Sequence, residues 1–335
     1  MKQRSKKALL TILIFTLTAT ALLGLFFFAV NQGSIQVTFA ELLRGLFVEY
    51  DPNVAAIYDL RFPRILIAII GGGAMAVAGA LFQAVLRNPV ADPSLIGISS
   101  GAALAASLTV SLFPALYFSS PIFAIIGGFV TFSIVYALSF RGGLAPIRVI
   151  LVGIAVNAVL VGLGEGITVL MAEGGAVLAS QMGLTGSLAM KTWNDVNLIA
   201  IYTAPGIIAA LLISGRCNLL GLEDDTVRSL GVNITLLRII VSFVAVMLAS
   251  VASAVMGVVV FLGLIVPHIA RLLVGSDHRI LLPYCAILGA FLMLLADTAG
   301  RLIAHPFEIN AAILMAIVGG PLFIMLLRSK RSYYG

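Results

Sequence analysis

The chain has 335 residues, 61% of them hydrophobic and only 10% charged, with a mean hydropathy of +1.14. A soluble protein carries about 25% charged residues, and apolar runs longer than 18 residues recur here from end to end, which excludes a soluble globular protein. The net charge of +6 does not point to nucleic acid, because the basic residues sit at the ends of apolar runs and form no stripe. Cys217 and Cys285 supply neither a disulfide framework nor metal-ligand spacing.

In chain order, Lys2, Arg4, Lys6 and Lys7 precede an apolar run from Ala8 to Val30. A signal peptide has a core of about 7–15 residues, so this longer run reads as an uncleaved first helix with its N-terminus inside. Nine further runs follow at 64–86, 94–113, 119–140, 146–171, 194–215, 235–254, 256–275, 279–299 and 308–328. Each meets the roughly 20 residues an apolar helix needs to cross a bilayer. The division near Ser253–Gly257 leaves open a single broken helix, which would change the count. The expectation is an all-α integral membrane protein of about ten transmembrane helices, a single transmembrane domain over 1–335.

Charge tests the orientation. With the N-terminus inside, only Arg44, Arg61, Arg64, Lys191 and Arg301 of the 20 Lys and Arg fall outside. The other 15 fall inside, as the positive-inside rule requires of ten spans with both termini cytoplasmic. Many of the 33 glycines lie within spans, where small residues let membrane helices approach closely. Those around Glu165 could instead line a wide pathway or let a helix bend.

The polar residues that interrupt this pattern are few. The turn Arg87-Asn88-Pro89-Val90-Ala91-Asp92-Pro93 separates two apolar runs, with prolines forcing the break. The connection from Arg216 to Leu237 carries Asp224 and Asp225, suited to a helix start, apolar Leu222, Val227 and Leu230, and Gly231, suited to a helix stop. It reads as one or two short helices, or an amphipathic loop on the membrane surface. Glu165 and Asp297 lie within spans and must face protein or water; Arg301, four residues on, is the expected partner of Asp297. His268, His278 and His305 lack metal-ligand spacing. No phosphate-binding Gly-x-x-x-x-Gly-Lys-Ser/Thr motif occurs, and no nucleophile–base–acid set is visible, so no catalytic residue, metal or bound cofactor is expected.

The block Gly72-Gly73-Ala74-Met75-Ala76-Val77-Ala78-Gly79-Ala80-Leu81-Phe82-Gln83, the Arg87–Pro93 turn, and Ser94-Leu95-Ile96-Gly97-Ile98-Ser99-Ser100-Gly101-Ala102 together resemble the signature of the iron-siderophore, haem and cobalamin permease family. Gly263-Leu264-Ile265-Val266-Pro267-His268, Asp277-His278-Arg279 and Ala296-Asp297 through Gly300-Arg301 extend the resemblance, which runs from about Arg61 to Leu327. It departs at Glu308-Ile309-Asn310-Ala311-Ala312, where the family often has Glu-x-Pro-x-Gly. The family's proteins are membrane subunits of binding-protein-dependent ATP-binding-cassette (ABC) importers of type II architecture, in the bacterial cytoplasmic membrane.

The resemblance implies a dimer of permease subunits, identical or paralogous, with separate ATPase subunits that carry ATP-Mg and an extracytoplasmic solute-binding protein. It implies that Arg61, Arg64 and Arg301 dock the binding protein and that the 216–237 connection is the coupling segment, with Leu222, Asp224, Asp225, Val227, Arg228, Leu230 and Gly231 meeting the ATPase. Asn88 and Pro89 match a cytoplasmic gate; the second gate segment would fall at Gly143-Leu144-Ala145-Pro146, which lacks hydroxyl residues. The implied cargo is a ferric siderophore first, then haem, then cobalamin. A secondary transporter using Glu165 or Asp297, and a channel or membrane scaffold, are the alternatives from other classes.

Overall fold

The computed structural model describes residues 2–32, 37–140, 146–172, 186–303 and 307–328. The described chain is helical nearly throughout, as a chain in a bilayer must satisfy its own polar backbone groups. In order come α1 (Lys2–Asn31), α2 (Phe39–Phe47), α3 (Pro52–Leu60), α4 (Phe62–Val85) and α5 (Ile98–Leu112). A 3-10 turn at Pro114–Ser119 leads into α6 (Ser120–Ser139), followed by α7 (Pro146–Ala172) and α8 (Trp193–Cys217). A second 3-10 turn, Asn218–Gly221, precedes α9 (Asp224–Ser229), α10 (Ile234–Met256), α11 (Leu262–Val274), α12 (His278–Ile303) and α13 (Ala311–Arg328).

Each of the ten predicted runs corresponds to one apolar helix. Seven are long and apolar enough to cross a membrane, and α5, α11 and most of α13 form shorter ones. The predicted run at 256–275 is shortened because α10 ends on Gly257 at φ +74° and Phe261 adopts φ +67°, so Leu262 starts a separate helix of 13 residues. Helices α2 and α3 were not anticipated. Thr38 and Glu41 form a reciprocal capping box at the start of α2, and Asp51 caps α3 ahead of Pro52; both are legible start signals.

Helix α4 is the shaft of the bundle. It is buried along nearly its whole length and packs against α12, α10, α8 and α11. The glycines permit this. A Cβ on Gly72 would lie 2.6 Å from the carbonyl oxygen of Gly289, and one on Gly73 would lie 2.9 Å from that of Ala286. A Cβ on Gly79 would overlap the backbone of Gly263. Where lipid is as apolar as leucine, such close approach supplies the packing that the hydrophobic effect does not. Helix α1, by contrast, is peripheral, with Leu9, Leu13 and Leu17 exposed. It rests on α12 through Phe15 and through the Thr18 and Tyr284 hydroxyls, 3.0 Å apart.

Candidate coupling and docking sites

At the predicted inner end, the Arg87–Pro93 turn and the 216–237 connection meet. Asn88 N–H donates to the Gln83 carbonyl at 3.1 Å and Arg87 N–H to that of Ala84 at 3.4 Å, so the chain leaves α4 with Arg87 in the left-handed region at φ +48°. Glycine is the usual occupant there, and an L side chain costs about 1 kcal/mol. The arginine side chain accounts for its presence. Its Nε donates to the Leu220 carbonyl at 2.6 Å, and Nη2 donates to the Leu222 carbonyl and, at 2.7 Å, to Asp224 Oδ1.

Asp224 in turn accepts from Arg238 of α10, Nη2 to Oδ1 at 2.8 Å and Nη1 to Oδ2 at 3.1 Å. Burial pushes the Asp224 carboxyl up, but the hydrogen bonds and charges of Arg238 and Arg87 outweigh it and hold it below the ordinary carboxylate value. The other flank is held by Asn218. Its Nδ2 donates to Asp277 Oδ1 at 2.7 Å, and its Oδ1 accepts from the His278 backbone at 2.9 Å. The Asn218 hydrogen bond, then that of the Arg279 N–H, holds the Asp277 carboxyl low.

The predicted short helix forms as α9, and Gly231 stops it at φ +77°. Val227 is buried, whereas Leu222 and Leu230 are exposed. Asp225 and Arg228 pair with each other at 3.3 Å on the outer side of α9. The connection therefore presents two leucines and a charge pair outward while Val227, Asp224 and Asn218 anchor it. In the Arg87–Pro93 turn, Asn88 Oδ1 accepts from the Val90 N–H at 3.1 Å, the side chain-to-backbone turn its residue type favours. Asp92 is buried and its Oδ1 accepts from Ser94 N–H at 2.8 Å, Leu95 N–H at 3.3 Å and the Ser94 hydroxyl. This turn replaces the first residues of the predicted run at 94–113. Gly143, Leu144 and Ala145 lie outside the described residues, as do Arg141 and His305.

Beside the turn, Pro267 in α11 has no N–H to offer the carbonyl of Gly263 one turn earlier. Gln83 of α4 fills that role, its Nε2 donating to the Gly263 carbonyl at 3.3 Å. Arg271 donates to the Gln83 Oε1, which fixes the amide's orientation.

At the predicted outer end the structure brings Arg61, Arg64 and Arg301 to one corner. Asp297 accepts from Arg64 Nε at 3.0 Å and Nη2 at 2.9 Å, a forked pairing that sequence spacing did not suggest. The expected partner, Arg301, lies with Nε 3.4 Å from Asp297 Oδ2. Arg64 Nη1 also pairs with Glu308 Oε2 at 2.7 Å. The side chains of Arg64, Arg301 and Asp297 are 13%, 10% and 1% exposed, and that of Glu308 is 47% exposed. Arg61 and Arg301 reach the end of α1, donating to the carbonyls of Val30 at 2.6 Å and Ala29 at 3.4 Å, where a helix C-terminus favours cations.

This corner bears on the secondary-transporter alternative. Asp297 is occupied by two guanidinium groups rather than open to a coupling ion. Glu165 sits on the exposed side of α7. Among the described residues no group of three or more His, Cys, Asp and Glu could hold a metal ion. His278 Nδ1 is 2.8 Å from Asn218 Oδ1, a packing role. The aromatic and capping contacts near Trp193 were not foreseen. Thr192 and Asp195 form a capping box for α8, Tyr117 donates to Asp195 Oδ1 at 2.6 Å, and Trp193 donates to the Tyr58 carbonyl at 3.1 Å.

Comparison with known proteins bears on the whole chain. The model of the FecCD transport family matches residues 21–329. A protein of Staphylococcus aureus strain MSSA476, described as a probable heme-iron transport system permease, IsdF, is 39% identical over 333 residues, 99% of each chain. The corresponding protein of strain USA300 is likewise 39% identical over 333 residues. Among solved structures, a chain assigned to a metal-chelate type ABC transporter in an inward-facing conformation is 29% identical. It superposes with a TM-score of 0.78 over 94% of this chain and 98% of its own. PsaBC from Streptococcus pneumoniae, in complex with Fab, shares the fold at TM-score 0.51 and 16% identity, over 88% of this chain and 97% of its own.

Proposed function

The chain belongs to the FecCD transport family, and from that premise we propose that it is the membrane permease subunit of an ABC importer that carries an iron chelate inward. The observation that carries this reading is the end-to-end alignment with a described haem-iron permease, 99% of both chains. The cargo we propose is an iron chelate, a ferric siderophore or haem, with cobalamin third. Iron cargo agrees with the heme-iron name of the curated relative, and a chelate agrees with the metal-chelate name of the 29%-identical structure; the relative's name raises haem to equal standing.

The chain supplies the pathway and no chemistry. ATP-Mg sits on separate ATPase subunits, and α9 with exposed Leu222 and Leu230 is the surface they grip. Asp225, Val227, Arg228 and Gly231 shape that surface, and Asp224 anchors it. Two permease subunits, identical or paralogous, enclose the pathway. Both termini face the cytoplasm of a bacterial cell. An extracytoplasmic binding protein docks at the corner of Arg61, Arg64 and Arg301. Because Arg64 is already paired with Glu308, a carboxylate on that partner would replace Glu308 rather than find an unpaired cation. Pairs of this kind set register and steer association more than they add affinity. Asn88 and Pro89 form the inner gate, and alternating access moves it.

The test is uptake by the complex reconstituted with its ATPase and binding protein, supplied with radiolabelled ferric siderophores, haem and cobalamin, with and without ATP inside the vesicles. ATP-dependent accumulation of one ligand, abolished by reversing the charges of Arg61 and Arg64, is expected. Uptake that ignores ATP and follows a proton or sodium gradient would overturn the proposal.

A further inference from the structure

We infer that Arg87 is a positioning residue that transmits movement of the 216–237 connection to the gate turn. The inference rests on the permease reading above and assigns the mechanical link within it. Three elements converge on one carboxylate: the turn after α4, through Arg87; the connection, through Asp224 itself; and α10, through Arg238. Arg87 adds two backbone anchors, the carbonyls of Leu220 and Leu222, on either side of the point where the second 3-10 turn gives way to α9. Its planar fork grips both carbonyls and the carboxylate at once, which a point-charge ammonium cannot do.

The residue type is itself an argument. Position 87 has the backbone conformation in which glycine would be unstrained, φ +48°, yet an arginine is placed there. Arg87 immediately precedes Asn88, so a displacement of Leu220–Asp224 is delivered to the gate turn through one side chain and one peptide. Arg87 and Asp224 are each only about one-third exposed, so the contact is partly shielded from water and from salt screening. On the opposite flank Asn218 ties the connection to Asp277 and His278, the start of α12. The connection is thus held at both sides, and on the Arg87 side the hold passes directly into the 88–93 turn.

The experiment compares the wild-type complex with Arg87→Gly and Arg87→Lys, measuring cargo taken up per ATP hydrolysed in proteoliposomes. Arg87→Gly removes the clasp while suiting the backbone, so the fold is expected to survive and cargo per ATP to fall at least tenfold. Arg87→Lys keeps the charge without the fork and is expected to fall about threefold. Hydrogen exchange supplies a second readout: nucleotide-dependent change in protection at residues 86–96 is expected to vanish in Arg87→Gly. A lowered thermal midpoint with cargo per ATP unchanged in both variants would overturn the inference and make Arg87 merely structural. If Arg87→Gly does not assemble, Arg87→Lys decides by the same ratio. Absence of ATP-dependent uptake in the wild-type complex would instead sink the permease reading, so the two failures are distinct.

Discussion

Replacing Asp297 by leucine removes the one acceptor that holds two guanidinium groups at the outer corner. Arg64 loses contacts of 3.0 and 2.9 Å and keeps only Glu308, while Arg301 loses its carboxylate at 3.4 Å and keeps a 3.4 Å contact to the Ala29 carbonyl. With about a tenth of each arginine exposed, water replaces little of the loss. Removing one partner of a buried pair typically costs about 3–5 kcal/mol, and Asp297→Leu is expected to lie in that range. Arg64→Met is expected to cost less, about 2 kcal/mol, because Asp297 retains Arg301. The triple variant Arg64→Met, Asp297→Leu, Arg301→Leu is expected to return to within about 1–2 kcal/mol of wild type, since apolar groups of similar volume often replace a buried ionic cluster without loss. Equilibrium unfolding in mixed detergent micelles reads all three. An Asp297→Leu cost under about 1 kcal/mol, or a triple variant that loses at least as much as Asp297→Leu alone, would refute the account of a buried ionic cluster.

Gln83→Leu is expected to cost about 1–3 kcal/mol, the penalty of leaving the Gly263 carbonyl unpaired; combined with Pro267→Ala, which restores an N–H one turn on, the cost should shrink, and additive losses in unfolding would contradict the pairing. Gly79→Val places a side chain into the Gly263 backbone and is expected to lose at least the 1–3 kcal/mol of ordinary overpacking, read as a lower detergent melting temperature; an unchanged midpoint would mean that α4 and α11 are not in contact. The Asp224 carboxyl is held below its ordinary value of 3.8, so its contribution is fully present above about pH 4 and is lost as pH falls through the lowered value. A fluorophore at Ser229→Cys should keep constant anisotropy from pH 7 down to about pH 4 and become mobile below it, and in an Asp224→Asn background should be mobile already at pH 7; mobility that sets in near pH 6 would assign the transition to another group.

The all-helical membrane fold was legible because hydropathy, length and the placement of arginine and lysine are local properties of the chain. So were α9 and its stop at Gly231, which depend on neighbours in sequence. The Arg64–Asp297 fork was not legible, because its partners are 233 residues apart and the i,i+4 pairing with Arg301 offered a nearer explanation. The same limit hid the Arg87–Asp224 clasp, 137 residues apart. Helices α2 and α3 escape a hydropathy reading for another reason: they are short and moderately apolar, and their caps at Thr38 and Asp51 carry the signal instead. Gln83 read as one residue of a family block, and only the position of Pro267 against it revealed its partner.

Helix α4 is the second long apolar helix made, yet the helices that cover it come late. Its end at Val85 precedes the end of α10 at Met256 and of α12 at Ile303. At a synthesis rate of about 5–20 residues per second, the ribosome needs on the order of ten seconds or more to supply them. Through that interval the Gly72, Gly73 and Gly79 face lacks the backbones of α11 and α12 that close on it in the finished fold. The close-packed face that makes α4 a tight shaft in the finished protein is thus without its final partners while the rest of the chain is made, and a glycine substitution there would act on assembly before it acted on transport.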